Sequence, residues 1–135
     1  MTESLGSRIR AANATLVADG RLDAVGKFFA ADYVAHLTDV DMTGGHDAIR
    51  GVLGQYRRAV PDLQVNVEIL AETSDRVAWV RTVRGTQTGA FKGFPATGRP
   101  IVWRDAVTSR FVDGLIAEEW VVTDLAERLL LARKR

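Results

Sequence analysis

The stretch RFVDGLIAEEWVVTD, residues 110–124, decides the fold. Asp113-Gly114 lies between two runs of alternating character, and Asp-Gly in that setting is the strongest short-range signal for a β-hairpin. Two antiparallel strands are therefore predicted, about 99–112 and 115–124. With a two-residue turn, Val112 faces Leu115, Phe111 faces Ile116, and the pairing continues outward. One face then carries Trp103, Asp105, Val107, Ser109 and Phe111 beside Ile116, Glu118, Trp120, Val122 and Asp124. The other carries Arg104, Thr108 and Arg110 beside Ala117, Glu119 and Thr123. The aromatics mark the first face as the inward one. Trp103 and Asp124 would stand opposite each other, about 5 Å apart. A three-residue loop with a bulge would shift this register.

Upstream, Leu63, Val65, Val67 and Ile69 alternate with Gln64, Asn66 and Glu68, and read as a half-buried strand. After a turn at Ser74-Asp75, Val77, Trp79, Arg81 and Val83 alternate with Ala78, Val80 and Thr82. The segment from Gly85 to Gly98, with Gly89, Gly93 and Pro95, reads as loop. Before Pro61 the period is helical. Leu5, Ile9, Ala12 and Leu16 recur every three or four residues, and Gly20 is placed to end that helix in a left-handed conformation. A second short helix is predicted over 21–29. A third starts after Thr43-Gly44-Gly45, shows Ile49, Val52, Leu53 and Tyr56 on one side and closes at Pro61. Residues 125–135 read as helical or frayed, and Arg133, Lys134 and Arg135 complement the negative end of a terminal helix there. Helices first and strands later, with tight connections, predict an α+β domain over 1–135. Its N-terminal helices pack on a curved, mostly antiparallel sheet and enclose a pocket.

Composition narrows the function. The chain has 135 residues, 47% hydrophobic and 26% charged, enough for one packed core and too apolar for disorder. Eighteen basic and 17 acidic side chains leave a formal charge of +1, which offers little pull on a phosphate backbone. Nucleic acid is therefore not an expected partner. The absence of cysteine removes disulfides, thiolate metal sites and cysteine nucleophiles together. No apolar run is long enough to cross a bilayer, and the N-terminus lacks a signal-peptide layout, so a cytoplasmic protein is expected. His36 and His46, far apart, make no metal-binding spacing. His46 is expected at the start of the third helix, and His36 in a short alternating segment, Tyr33-Val34-Ala35-His36.

Three carboxylates on an inward face require partners or protonation. Asp105 and Glu118 are assigned to ion pairs with Arg81, Arg84 or Arg99. Spacing leaves two readings of Asp124 open. It caps the helix that follows it, or it is a general acid/base whose pKa is raised by desolvation beside tryptophans.

The run from Tyr33 to Asp124 resembles the SnoaL-like polyketide cyclases of the nuclear-transport-factor-two-like superfamily. The matching pieces are Tyr33-Val34-Ala35-His36, Gly45 with Ile49-Arg50, Val60-Pro61-Asp62-Leu63 and Asp75-Arg76-Val77-Ala78. Further on come Gly85-Thr86-Gln87-Thr88-Gly89, Ala96-Thr97-Gly98-Arg99-Pro100, Arg110-Phe111 with Asp113-Gly114, and Glu119-Trp120 leading to Asp124. The resemblance implies a conical α+β barrel around an apolar cavity, and ring closure of a polyketide by aldol chemistry without a cofactor. It implies Asp124 as acid/base and a hydrogen-bonding role for His36. Trp103, Asp105, Phe111, Trp120 and Gln87 are the expected substrate contacts. Gln87 stands where many relatives carry histidine, and the tail lacks a Gln-Leu-Gly ending. The implied partners are a small apolar ligand and a second copy of the chain, with Val102, Ala106, Leu115, Ala117 and Val121 on the open sheet face.

Two competing functions share this architecture. A limonene-type epoxide hydrolase needs an arginine between two aspartates, and Val121-Val122 stand where its Arg-Asp pair is expected. A non-catalytic binding domain would use the cavity as a receptacle.

Overall fold

The computed structural model describes residues 4–38 and 40–133, in which helices flank one six-stranded sheet. Helix α1 (Leu5–Ala12) starts at Ser4, whose hydroxyl accepts the Ser7 amide at 3.1 Å. It buries Ile9 and Ala12 and runs on through a wider π-type turn, Asn13–Ala18, that buries Leu16 and Val17. Gly20 then takes the left-handed conformation expected of it, with φ 68°. The predicted second helix is a short 3-10 segment, Leu22–Lys27. Helix α2 (Gly45–Ala59) buries Ile49, Leu53 and Tyr56 and ends before Pro61, where helical geometry is disfavoured. Gly45 is required at its start: φ is 59°, and a Cβ there would meet the Ala31 carbonyl oxygen at 2.4 Å.

Four strands after Pro61 form an antiparallel meander: β3 (Gln64–Glu72), β4 (Arg76–Thr86), β5 (Pro100–Val112) and β6 (Leu115–Thr123). Two strands from before Pro61 extend it. β1 (Phe29–His36) pairs with β6 in parallel, and the two-residue β2 (Asp41–Met42) pairs with β1, giving the order β2-β1-β6-β5-β4-β3. Helix α3 (Leu125–Arg133) follows, buries Leu125, Leu129 and Ala132, and accepts Arg99 Nη1 on the Ala132 carbonyl at 3.0 Å. Lys134 and Arg135, expected at its negative end, lie outside the described residues.

The β5–β6 hairpin turns through Asp113 (φ 53°) and Gly114 (φ 79°), the two left-handed residues that a tight primed turn demands. Val112 faces Leu115 and Phe111 faces Ile116, as the sequence predicts. The next pair is Arg110 with Glu118, because Ala117 bulges out of the ladder. The expected register is therefore corrected beyond that point. Glu119, Val121 and Thr123 turn inward, and Glu118, Trp120 and Val122 turn out. Asp105 faces Thr123, so Trp103 and Asp124 are not opposite each other. On β5 the expectation and the structure agree: Trp103, Asp105, Val107, Ser109 and Phe111 are buried, and Arg104 is exposed.

Candidate active site

Helix α1 with its π-type continuation, helix α2 and the inner sheet face enclose a cavity of about 170 Å³. Its walls are largely apolar, with Ile9, Val17, Ile49, Leu53, Trp79 and Val121 among them. Among its polar side chains are Asn13, Tyr33, Arg81, Asp105 and Glu119.

These five form two linked groups. Asp105 is 1% exposed, and its Oδ2 takes bonds from Arg81 Nε at 2.9 Å and Nη2 at 2.8 Å. Arg81 Nη1 donates to Asn13 Oδ1 at 3.1 Å, while Asn13 Nδ2 donates to the Ile9 carbonyl at 3.0 Å. The π-type turn begins at Asn13, so the irregularity that widens the helix also fixes this amide against Arg81. Burial is the largest influence on Arg81 and opposes its charge, but Asp105, Tyr56 and Glu119 together outweigh it and hold the guanidinium above its ordinary pKa.

In the second group Glu119 accepts the Tyr33 hydroxyl at 2.6 Å on Oε1 and the Ser109 hydroxyl on Oε2. Trp79 Nε1 donates to Ser109 Oγ at 2.9 Å. Burial pushes the Glu119 carboxyl above the usual range, against the pull of Ser109, Tyr33 and Arg81. Burial and the neighbouring Glu119 likewise raise Tyr33, and burial pushes Tyr56 up to about 12. A carboxyl that keeps its proton more tightly than water would allow, facing an apolar cavity, is equipped to give and take protons. The arginine beside it is equipped to hold negative charge on an oxygen.

The residues singled out from the sequence are dispersed. Asp105 lines the cavity and pairs with Arg81, one of the arginines expected. Trp103 and Phe111 are buried in the core, Trp103 between the rings of Tyr56 and Phe91, and neither lines the cavity. Gln87 is fully buried under its own loop. Its amide donates to the Gly89 and Pro95 carbonyls at 3.3 and 3.1 Å and its oxygen accepts the Thr97 hydroxyl at 3.2 Å. Asp124 lies beyond the end of β6, outside the cavity lining. Its Oδ1 takes the Arg104 amide at 2.8 Å and its Oδ2 takes Arg128 Nε at 3.1 Å. The expected opening of Asp124 into the cavity, with Trp120 beside it, is corrected by the one-residue shift at Ala117. Sequence reasoning missed Glu119 and Tyr33, and named Arg81 only as an ion-pair partner. The adjacent acids Glu118-Glu119 were the available signal, since a strand with one buried face turns one of them inward.

His36 and Trp120 meet on the outer face, stacked with ring centroids 5.3 Å apart. His36 Nε2 lies 2.5 Å from Glu118 Oε2 and Nδ1 lies 2.9 Å from Asp41 Oδ1, and Arg110 Nε bonds Glu118 at 2.8 Å. Glu118 thus pairs with His36 and Arg110 rather than the arginines expected. Glu118 first and Asp41 second raise the His36 pKa, while His36 and Arg110 lower that of Glu118. A raised histidine stabilises the fold fully below its unfolded value of about 6.5 and ceases to do so as pH rises through its folded value. A lowered carboxylate stabilises above its unfolded value of about 4.3 and fails as pH falls through its folded one. The melting-temperature gap between the natural chain and His36→Gln is therefore expected to be widest at about pH 5–6 and to shrink towards alkaline pH. A gap that is flat with pH would show that the ion pair does not form. His46 is the second residue of α2, and its Nε2 lies 2.8 Å from the Phe29 carbonyl oxygen.

Comparison with known proteins agrees with this fold. The family model described as SnoaL-like polyketide cyclase matches residues 7–130. Among solved structures, wild-type IdmH, a candidate polyketide cyclase from Streptomyces antibioticus, is 27% identical with a TM-score of 0.80, over 98% of this chain and 100% of that one. AclR, a candidate hydroxylase from Streptomyces galilaeus, is 31% identical with a TM-score of 0.77, over 98% of this chain and 88% of that one. A SnoaL-like polyketide cyclase from Agrobacterium tumefaciens, 24% identical with a TM-score of 0.78, shares the fold over 96% of this chain and 99% of its own. No curated protein matches the chain. The chain belongs to the SnoaL-like polyketide cyclase family.

Proposed function

We propose that this protein is a cofactor-independent acid/base enzyme acting beside a carbonyl of a small, largely apolar substrate, in an aldol-type ring closure or an isomerisation. One observation carries the reading: the buried Glu119 carboxyl opens into an apolar cavity that also presents the Arg81 guanidinium. Glu119 removes the proton next to the carbonyl. Arg81, held by Asp105 and Asn13, stabilises the enolate oxygen. In a ring closure the enolate carbon forms the new bond to a second carbonyl, and the alkoxide takes the proton back from Glu119. Tyr33 and Ser109 hold the carboxyl in place. Asp124, to which the family resemblance assigns this role, lies outside the cavity lining, bonded to Arg104 and Arg128, whereas Glu119 lines it, which favours Glu119.

The test needs no knowledge of the natural substrate. Ketones that bind are incubated with the protein in heavy water, and deuterium entering beside the carbonyl is followed by NMR. Exchange above the buffer rate is the expected result. Ligands that bind without exchange would make the cavity a receptacle instead.

A second reading is favoured by one feature. Arg81 is bonded to Asp105 and electrostatically coupled to Glu119, so an arginine between two carboxylates is present, though not where the sequence suggests. That arrangement suits activation of water towards an epoxide, and labelled oxygen from water in a diol product would identify it.

Assembly as a homodimer is proposed through the outer sheet face, where Val102, Ala106 and Val122 are exposed on neighbouring strands. Val121, first counted with that face, lines the cavity. Light scattering at micromolar concentration is expected to give twice the chain mass, and a monomer mass would refute it.

A further inference from the structure

Lys92 and Thr123 are the exposed residues of the lining and, with the half-exposed Leu37, Met42, Val52 and Gln55, form the rim of the cavity. Arg81, the other cation of the lining, is also half-exposed but is paired with Asp105. Among the described residues no carboxylate pairs with Lys92. Deeper in the cavity Arg81 and Asp105 balance each other. Lys92 therefore places a positive charge at the mouth of the cavity with no carboxylate bonded to it.

The backbone fixes this lysine in an unfavourable conformation. Phe91 and Phe94 exchange amide-to-carbonyl hydrogen bonds of 2.9 and 2.8 Å around Lys92 (φ 51°) and Gly93 (φ 83°). Such a turn prefers asparagine, aspartate or glycine at the position that Lys92 takes. Phe91, fully buried against Tyr56 and Trp103, anchors the turn to the core. An ordinary side chain held at positive φ on the rim of a cavity is a strain that function can explain.

We propose that Lys92 selects substrates bearing a carboxylate, which stays at the mouth while the carbonyl end reaches Glu119 and Arg81. The substrate class is then an apolar keto acid rather than a neutral ketone or ester. This rests on the acid/base reading of the cavity.

The test is calorimetric titration of the whole protein at neutral pH and low salt with benzoylpropionic acid and its methyl ester. The natural chain is expected to bind the acid about three- to fivefold more tightly, the scale of a partly exposed ion pair. Lys92→Arg should keep that ratio and Lys92→Met should bring it to about one. Both substitutions carry a Cβ as lysine does, so the turn is equally strained in each. Raising the salt should shrink the ratio in the natural chain alone. Equal affinities in the natural chain, or a ratio that survives in Lys92→Met, overturn the selection by Lys92 and leave the acid/base reading standing. Failure of both ligands to bind overturns this proposal and counts against the carbonyl cavity as well.

Discussion

Glu119→Gln is expected to slow deuterium exchange beside a bound carbonyl by two to four orders of magnitude, the usual weight of a general acid/base. Glutamine has the same shape. Its oxygen can still accept the Tyr33 hydroxyl, and its amide can donate to Ser109 Oγ, so the cavity keeps its form. What it loses is the ability to take a proton. The stability of the variant should rise rather than fall, because a buried carboxyl whose pKa is raised binds its proton more tightly folded than unfolded. The natural chain then loses stability as pH climbs from the ordinary carboxylate value through the raised one, and Glu119→Gln escapes that loss. The exchange rate of the natural chain should rise over the same interval, as Glu119 becomes a base. Asp124→Asn serves as the comparison, since its carboxylate binds Arg104 and Arg128 away from the cavity. If Glu119→Gln exchanges at the natural rate while Asp124→Asn does not, the two roles are reversed.

Asp105→Ala is expected to destabilise the fold by about 3–5 kcal/mol, the cost of leaving a buried charge without its partner. Asp105 is almost wholly enclosed and the Arg81 side chain is 15% exposed, so water cannot replace the lost carboxylate. Asn13 supplies one acceptor to Arg81, and Glu119 lies near enough to ionise in compensation, which places the loss at the lower end. The double variant Arg81→Met, Asp105→Leu should recover most of it, because a buried pair exchanged for apolar side chains of similar volume is often neutral. Denaturant unfolding of the single and double variants measures both quantities. A loss below about 1 kcal/mol in Asp105→Ala would mean that the Arg81 charge reaches solvent. Recovered stability without recovered exchange would separate the pair's part in the chemistry from its part in the fold.

The α+β layering was legible because its signals are local. Helical spacing before Pro61, period-two alternation after it, and Asp113-Gly114 each act over a few residues, and each element formed near where its signal lies. The parallel pairing of β1 with β6 was not legible, since it joins His36 to Trp120 from far apart in the sequence and leaves no local pattern. The site was legible only along β5, where alternation runs unbroken from Trp103 to Phe111. Even there the pattern gives the face and not the depth, so Asp105 reached the cavity while Trp103 and Phe111 went to the core. On β6 a single unpaired residue defeated the count. Alternation carried forward from the turn assigns Trp120 and Asp124 to the inside, and Ala117 hands that position to Glu119.

The bulge at Ala117 also governs how this chain can be lined up with its relatives, and how such a cavity can change over evolutionary time. A gap left out there exchanges lumen for exterior along the rest of β6. A role carried across column by column would then land on a side chain pointing at the wrong medium. Loss of Ala117 in a descendant would close the bulge and leave Glu119, Val121 and Thr123 facing the lumen, whereas flattening the bulge with the residue kept would bring Glu118, Trp120 and Val122 inside with no substitution at any of them. In this strand the bulge decides which side chains meet the lumen, and the side chains it admits decide the chemistry.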